Sequence, residues 1–175
     1  MKYLIASDIH GSEFYLKKVL KAFEEEKADT LILLGDIYYH GPRNPLPEGY
    51  NPKGVSSLLN GVKDKLMVIK GNCDAVVDTY ISEFEFFPHL ALAVNGKSLF
   101  LTHGDIYNKD NLPKGVNGVI YGHFHLGFIE KEGMLLASPG SVSLPKDGFR
   151  GYLTIEDELL TLKTIDGEKV KEERI

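Results

Sequence analysis

The feature that most constrains this chain is a set of short, almost wholly apolar runs, each ended abruptly by glycine and polar residues. Residues 3–6, 31–34 and 66–69 are apolar at nearly every position rather than at alternate ones. Such runs suit strands covered on both faces, as in parallel sheets. Helical patterns separate them. Ser12 can cap a segment in which Leu16, Val19, Leu20 and Phe23 recur at helical spacing, to about Glu26. Asn51-Pro52 opens a second helix, with Val55, Leu58, Leu59 and Val62 as its apolar face and Gly61 at its end. A proline-bearing loop, residues 37–51, lies between the two helices.

The second half reads as mostly strands. Residues 90–94 and 98–102 flank Asn95-Gly96, a preferred hairpin dipeptide. Residues 119–121 form another short buried strand. Further hairpins are expected from 128–131 with 134–137 around Glu132-Gly133, and from 152–155 with 159–165. The charged tail, 168–175, reads as an edge strand or a frayed end. An α/β half followed by a β-rich half implies layers around one core. With 175 residues, a single domain over 1–175 is expected.

Composition narrows the partners. The net charge of −5 argues against binding long nucleic acid, which needs a basic surface. A small phosphorylated substrate stays open, because bound cations can supply positive charge locally. No apolar run approaches the roughly 18 residues of a membrane span. The first apolar run is too short for a secretory core, so a cytoplasmic location is expected. Cys73 is the single cysteine, which excludes an intrachain disulfide.

Chemistry gathers where the apolar runs end. Asp8 and His10 follow the first, and Gly35-Asp36 the second. Gly71-Asn72-Cys73-Asp74 follows the third. His103-Gly104 ends the first hairpin, and Gly122-His123-Phe124-His125 follows residues 119–121. Ligand sites in open α/β sheets form beyond the carboxyl ends of strands. Each Asp or Asn alone reads better as a turn or cap, and each His alone as an ordinary core or surface histidine. Together they form a mixed oxygen and nitrogen set with no thiolate cluster, which excludes a zinc finger. Seven such groups are too many for one open site and suit two ions. Ions about 3.5–4 Å apart clamp the attacking and leaving oxygens of a displacement at phosphorus. Imidazole with carboxylate favours Mn, Fe, Ni or Zn over Mg or Ca.

In order and spacing these motifs resemble the signature of the calcineurin-like metallophosphoesterases. The Gly-Asn-Cys-Asp form, the proline loop Gly41-Pro42-Arg43-Asn44-Pro45-Leu46-Pro47 and Ser138-Pro139-Gly140-Ser141 are similar to the small YfcE-type bacterial phosphodiesterases. The resemblance implies a four-layer α/β/β/α sandwich of two mixed sheets. It implies Asp8, His10 and His125 as ligands of a first metal, Asp36 as a bridge, and Asn72, His103 and His123 as ligands of a second. Asn72, Cys73 and His103 would then be catalytic. The cofactor would be two divalent transition-metal ions, Mn2+ first, with Ni2+, Fe2+ or Zn2+ compatible. A metal-bridging hydroxide would attack a phosphate diester in line.

One position departs from the wider family, where the Asn is usually followed by His; here Cys73 stands. A thiol is a poor hydrogen-bond donor, so esters with stable leaving groups are expected to be preferred. His40 and Arg43, just beyond Asp36, are candidate substrate contacts. Asp74 and Asp105 read as caps or as partners orienting imidazoles. Residues 138–141 read as a turn supporting the histidine pair. Rival readings are a phosphomonoesterase on the same site and a non-catalytic scaffold resembling the retromer cargo-sorting subunit. Exposed apolar loop residues point to a homo-oligomer, a dimer or a tetramer.

Overall fold

The computed structural model describes residues 1–175. The apolar runs become β1 (Lys2–Ala6), β2 (Thr30–Leu33) and β3 (Leu66–Ile69), joined by α1 (Glu13–Glu25) and α2 (Pro52–Asn60). Ser12 caps α1 by accepting the Tyr15 N–H, and Asn51 caps α2 by accepting that of Gly54. Strand β4 (Phe86–Phe87) and a 3₁₀ turn at Val76–Tyr80 lie where the apolar pattern gives no signal.

The remaining strands are β5 (Leu90–Val94), β6 (Lys97–Thr102), β7 (Gly118–Tyr121), β8 (Gly127–Glu132), β9 (Met134–Pro139), β10 (Gly151–Glu156), β11 (Leu159–Thr164) and β12 (Lys169–Arg174). One sheet runs β12-β11-β10-β1-β2-β3-β4, and the other β5-β6-β7-β9-β8. Strands β1 to β4 are parallel to one another, as are β6, β7 and β9, and the outer strands pair antiparallel. The charged tail forms the edge strand β12.

Alternation along the parallel strands sorts the core into two layers. Leu4, Ala6, Leu31, Leu33 and Val68 face α1 and α2 through Leu16, Val19, Val55 and Leu59. Their neighbours Ile5, Ile32 and Ile69 face the second sheet through Leu99, Leu101 and Ile120. Strands buried on both sides explain the unbroken apolar runs. The outer face of the second sheet is closed by coil rather than helix. Tyr121 is 2% exposed there, and Tyr107 meets Phe100 edge-on. The segment Asn111-Leu112-Pro113-Lys114-Gly115 has no helical period to offer, which accounts for the missing helix. No helix is long and apolar enough to cross a membrane.

Candidate metal centre

The carboxyl ends of β1, β2, β3, β6 and β7 open on one side of the two sheets. Their loops carry the seven groups named from the sequence. Eight non-glycine residues have a left-handed backbone, and five of them are Asp8, His10, Asp36, His123 and His125. The other three, Lys27, Asn95 and Asp157, occupy ordinary turns. A left-handed non-glycine residue costs about 1–3 kcal/mol and persists where surrounding structure enforces it. Such strain at five residues, which follow the ends of β1, β2 and β7, turns short side chains back toward a common centre.

Two glycines make that convergence sterically feasible. A Cβ on Gly71 would collide with the Asp36 carboxylate, and one on Gly122 with Ser7 and the Asp8 carboxylate. Backbone amides then fix the acids. Cys73 N–H donates to Asp36 Oδ1 at 2.8 Å, and His123 N–H to Asp8 Oδ2 at 3.1 Å. Ser141 and Ser143 hydroxyls both donate to the Asp8 carbonyl at 2.9 Å. Ser141 thus anchors Asp8, and its hydroxyl also accepts the N–H of Leu144, whose carbonyl orients His125. Asp74 orients no imidazole. Its carboxylate accepts the N–H groups of Gly71, Asp36 and Ile37, tying the β2 and β3 loops together.

Carbonyl groups orient three of the imidazoles. His10 Nδ1 donates to Tyr39 O at 2.8 Å, His103 Nδ1 to Leu34 O at 2.7 Å, and His125 Nδ1 to Leu144 O at 2.6 Å. A carbonyl only accepts, so each Nδ1 carries the proton and each neutral ring presents a bare Nε2. These lone pairs face other acceptors. His10 Nε2 and His125 Nε2 lie 3.2 Å apart, and His103 Nε2 lies 2.9 Å from Asn72 Oδ1 and 3.2 Å from His123 Nδ1. Asp8 Oδ1 is buried without a hydrogen-bond partner, 3.3 Å from His125 Nε2. Asp36 directs Oδ2 toward His10 Nε2 at 3.7 Å and Oδ1 toward His103 Nε2 at 3.5 Å.

Acceptors crowded against acceptors repel unless a cation or proton lies among them. The donor set therefore fits hard or borderline cations, with Asp8, His10 and His125 close enough to share one, and Asp8, Asp36 and His103 likewise. The same crowding governs titration. Burial pushes the Asp8 carboxyl upward, but His125, His103 and His10 outweigh it and hold it below the usual carboxylate range. Burial opposes charging of His103 and His125, yet Asp8 and, for His103, Asp36 raise both. Burial and the neighbouring His103 lower His123. Burial and the Asp36 charge push the Cys73 thiol up to about 12. Asp74 rises to about 6 through burial, against the pull of its backbone donors.

A cavity of about 560 Å³ opens over this centre. His10, Asp36, Asn72, His123 and His125 reach it, together with Cys73 and Arg43. His40 does not border it. Its ring sits edge-on between Tyr39 and Tyr50, at 4.8 and 5.4 Å. Lys146, which no sequence motif marked, does line it. Its N–H donates to the His125 carbonyl at 3.0 Å, a link visible only once β9 has folded beside the His125 loop.

Residues 1–158 match the calcineurin-like phosphoesterase superfamily domain. The chain belongs to that superfamily, and it is a hydrolase acting on ester bonds. Among its relatives is phosphodiesterase YfcE of Escherichia coli (strain K12), which is 39% identical over 97% of this chain and 95% of its own length. The solved structure of YfcE, a phosphoesterase from E. coli, superposes with a TM-score of 0.94 over all of both chains. An archaeal phosphodiesterase reaches 0.65 at 21% identity over the full length of both chains. Vacuolar protein sorting 29 from Cryptosporidium parvum also reaches 0.65, at 15% identity over 99% of this chain and 98% of its own. These last two likenesses establish the shared fold.

Proposed function

We propose that residues 1–175 form one metallophosphoesterase domain that hydrolyses small phosphate diesters with two divalent metal ions. The observation that carries this reading is the convergence of imidazole nitrogens and carboxylate and amide oxygens, with Asp36 offering one oxygen to each side. The 39% identity to phosphodiesterase YfcE supports the choice of diesters. The core supports the one-domain reading, since its two layers lie on opposite faces of the same strands.

In this reading Asp8, His10 and His125 hold one ion, Asn72, His103 and His123 the other, and Asp36 both. Mn2+ is the first choice for this mixed set, with Ni2+, Fe2+ or Zn2+ compatible. Such a pair supplies Lewis acidity and activates water for in-line attack at phosphorus. The chain's own contribution is positioning. Carbonyl acceptors keep Nδ1 protonated and Nε2 bare, so the imidazoles need no reorientation when a substrate arrives. Asn72 and His123, on the open side, meet the substrate phosphate first. The bare His103 Nε2 and Asn72 Oδ1 lie 2.9 Å apart, both turned to the same side of the centre. Cys73 borders the cavity beside them and offers only a weak donor to a departing oxygen. His40 and Arg43 remain in the reading on different terms: Arg43 as a substrate contact at the cavity mouth, His40 as a support for the loop that carries Arg43.

The test is direct. Protein stripped by chelation and then resupplied with Mn2+ is assayed on bis(4-nitrophenyl) phosphate and on 4-nitrophenyl phosphate side by side. Diester hydrolysis that disappears on chelation and returns with metal is expected. Dominant monoester hydrolysis would move the reading to a phosphomonoesterase. No hydrolysis with any of the four metals would favour a non-catalytic scaffold of the same fold.

A further inference from the structure

The cavity mouth carries positive charge that the chemistry at its floor leaves unused. Arg43 comes from the loop after β2 and Lys146 from the segment after β9, yet both line the same cavity. Both are exposed, and neither is among the lysines and arginines that pair with carboxylates. The nearby acids are committed elsewhere. Asp147 accepts the Gly127 and Phe149 N–H groups, and Glu48 the Tyr15 hydroxyl. Asp36 is the sole acid lining the cavity, and it belongs to the metal centre. This is unusual placement in a chain whose net charge is −5.

Charge balance sharpens the point. Two divalent ions bring four positive charges. Asp8 and Asp36 offset two, and a diester monoanion a third, so the scissile phosphate is already drawn to a cationic centre. Arg43 and Lys146 add two more with no anion facing them. A cavity of about 560 Å³ also holds far more than one phosphate.

We propose that Arg43 and Lys146 form a subsite for a second anionic group, a phosphate, on the arm of the diester that is not cleaved. The subsite rests on the phosphodiesterase reading and narrows its substrate class to diesters bearing an additional phosphate. The backbone anchor of Lys146 to the His125 carbonyl gives the subsite a fixed offset from the metal centre. The planar Arg43 guanidinium supplies paired donors suited to phosphate oxygens.

A matched pair of substrates tests it. Thymidine 5′-(4-nitrophenyl phosphate) and its 3′-phosphorylated counterpart share a leaving group and differ by one phosphate. With Mn2+ at low salt, wild type should favour the 3′-phosphorylated compound about tenfold in kcat/KM, and added salt should erode the preference. Lys146→Gln should cut that ratio about threefold, and Lys146→Gln with Arg43→Gln should bring it close to one. Equal losses on both substrates, with the ratio kept, would overturn the proposal and assign the two cations to the scissile phosphate. So would a wild-type ratio near one. Calorimetry with thymidine 3′,5′-bisphosphate and thymidine 5′-monophosphate gives the same comparison without turnover. If neither diester is hydrolysed, the phosphodiesterase reading fails alone, and tighter bisphosphate binding that Lys146→Gln removes still upholds the subsite. Equal binding of the two nucleotides would sink it.

Discussion

The two halves of the proposed centre are built differently. On one side Asp8, His10 and His125 are 0, 1 and 5% exposed, and carbonyls or serine hydroxyls hold every one of them. On the other, His103 is equally buried, but Asn72 is exposed and His123 only half-buried. His123 also lacks a carbonyl partner and leans instead on His103. A sealed half resists losing its ion, and an open half can exchange contacts with substrate. The contrast suggests a division of labour: one side retains metal, and the other handles the phosphate.

The carboxylate shared between the halves should matter most. Asp36→Asn removes the charge that faces both His10 and His103. Diester hydrolysis is expected to fall about a thousandfold, roughly 4 kcal/mol of barrier. Bound metal should drop from two ions toward one, while circular dichroism stays unchanged. Full activity with both ions retained would remove Asp36 from its bridging role.

Next comes a test of the halves against each other. His125→Ala should lose its ion, and with it about a hundredfold in rate at limiting Mn2+, with partial recovery at high Mn2+. Asn72→Ala should keep that ion and lose rate that excess metal does not restore. Elemental analysis of both variants checks this. Identical metal losses and identical rescue would dissolve the distinction between a retaining side and a reacting side.

Much of this site was legible in the sequence because its chemistry sits at strand ends. An unbroken apolar run followed by glycine and a ligand-type residue predicts both a buried strand and a reactive loop. Asp8, His10, Asp36, Asn72, His103, His123 and His125 all emerged that way. What lay outside that grammar was tertiary. No pattern announces that Tyr39, Leu34 and Leu144 supply the carbonyls that orient three imidazoles. Nor does one announce that Asp74 serves backbone amides. His40 stands near Asp36 in the chain, but its ring turns to Tyr39 and Tyr50. Lys146 belongs to no motif and lines the cavity all the same. The short β4 pairs through backbone groups beside β3, a contact no local periodicity records.

The open half also contains Cys73, beside Asn72. Cys73→His would place an imidazole where a weak donor now borders the cavity. Hydrolysis of alkyl phosphate diesters, whose leaving groups need a proton, is expected to rise about tenfold or more. Rates on nitrophenyl diesters should change little, since nitrophenolate leaves unaided. A uniform change across both substrate types would mean that position 73 shapes the cavity rather than assisting departure. The Cys73 sulfur packs close to Gly41, so a variant that loses the 41–44 loop would show as a fall in thermal stability as well.

The smallest expected effect sets a control far from the metal. Glu26 is another carboxylate among convergent partners, half-buried, but its partners are donors. Lys163, Lys2 and the Tyr152 hydroxyl reach it at 2.5, 2.9 and 2.8 Å. Burial works against its charge, yet those donors outweigh burial and hold it at about 2. Its folded-state pKa lies below the ordinary value, so its stabilisation is complete above about pH 4.5 and drains away as pH falls toward 2. Glu26→Gln should therefore lower stability by about 1 kcal/mol at pH 7, flatten the acid limb of the unfolding curve, and leave diester hydrolysis untouched. Acceptors ringed by donors hold the fold together without a cation; acceptors ringed by acceptors, as at Asp8, call for one. If Glu26→Gln abolished metal binding, or Asp36→Asn merely shifted the acid limb, that distinction would be wrong.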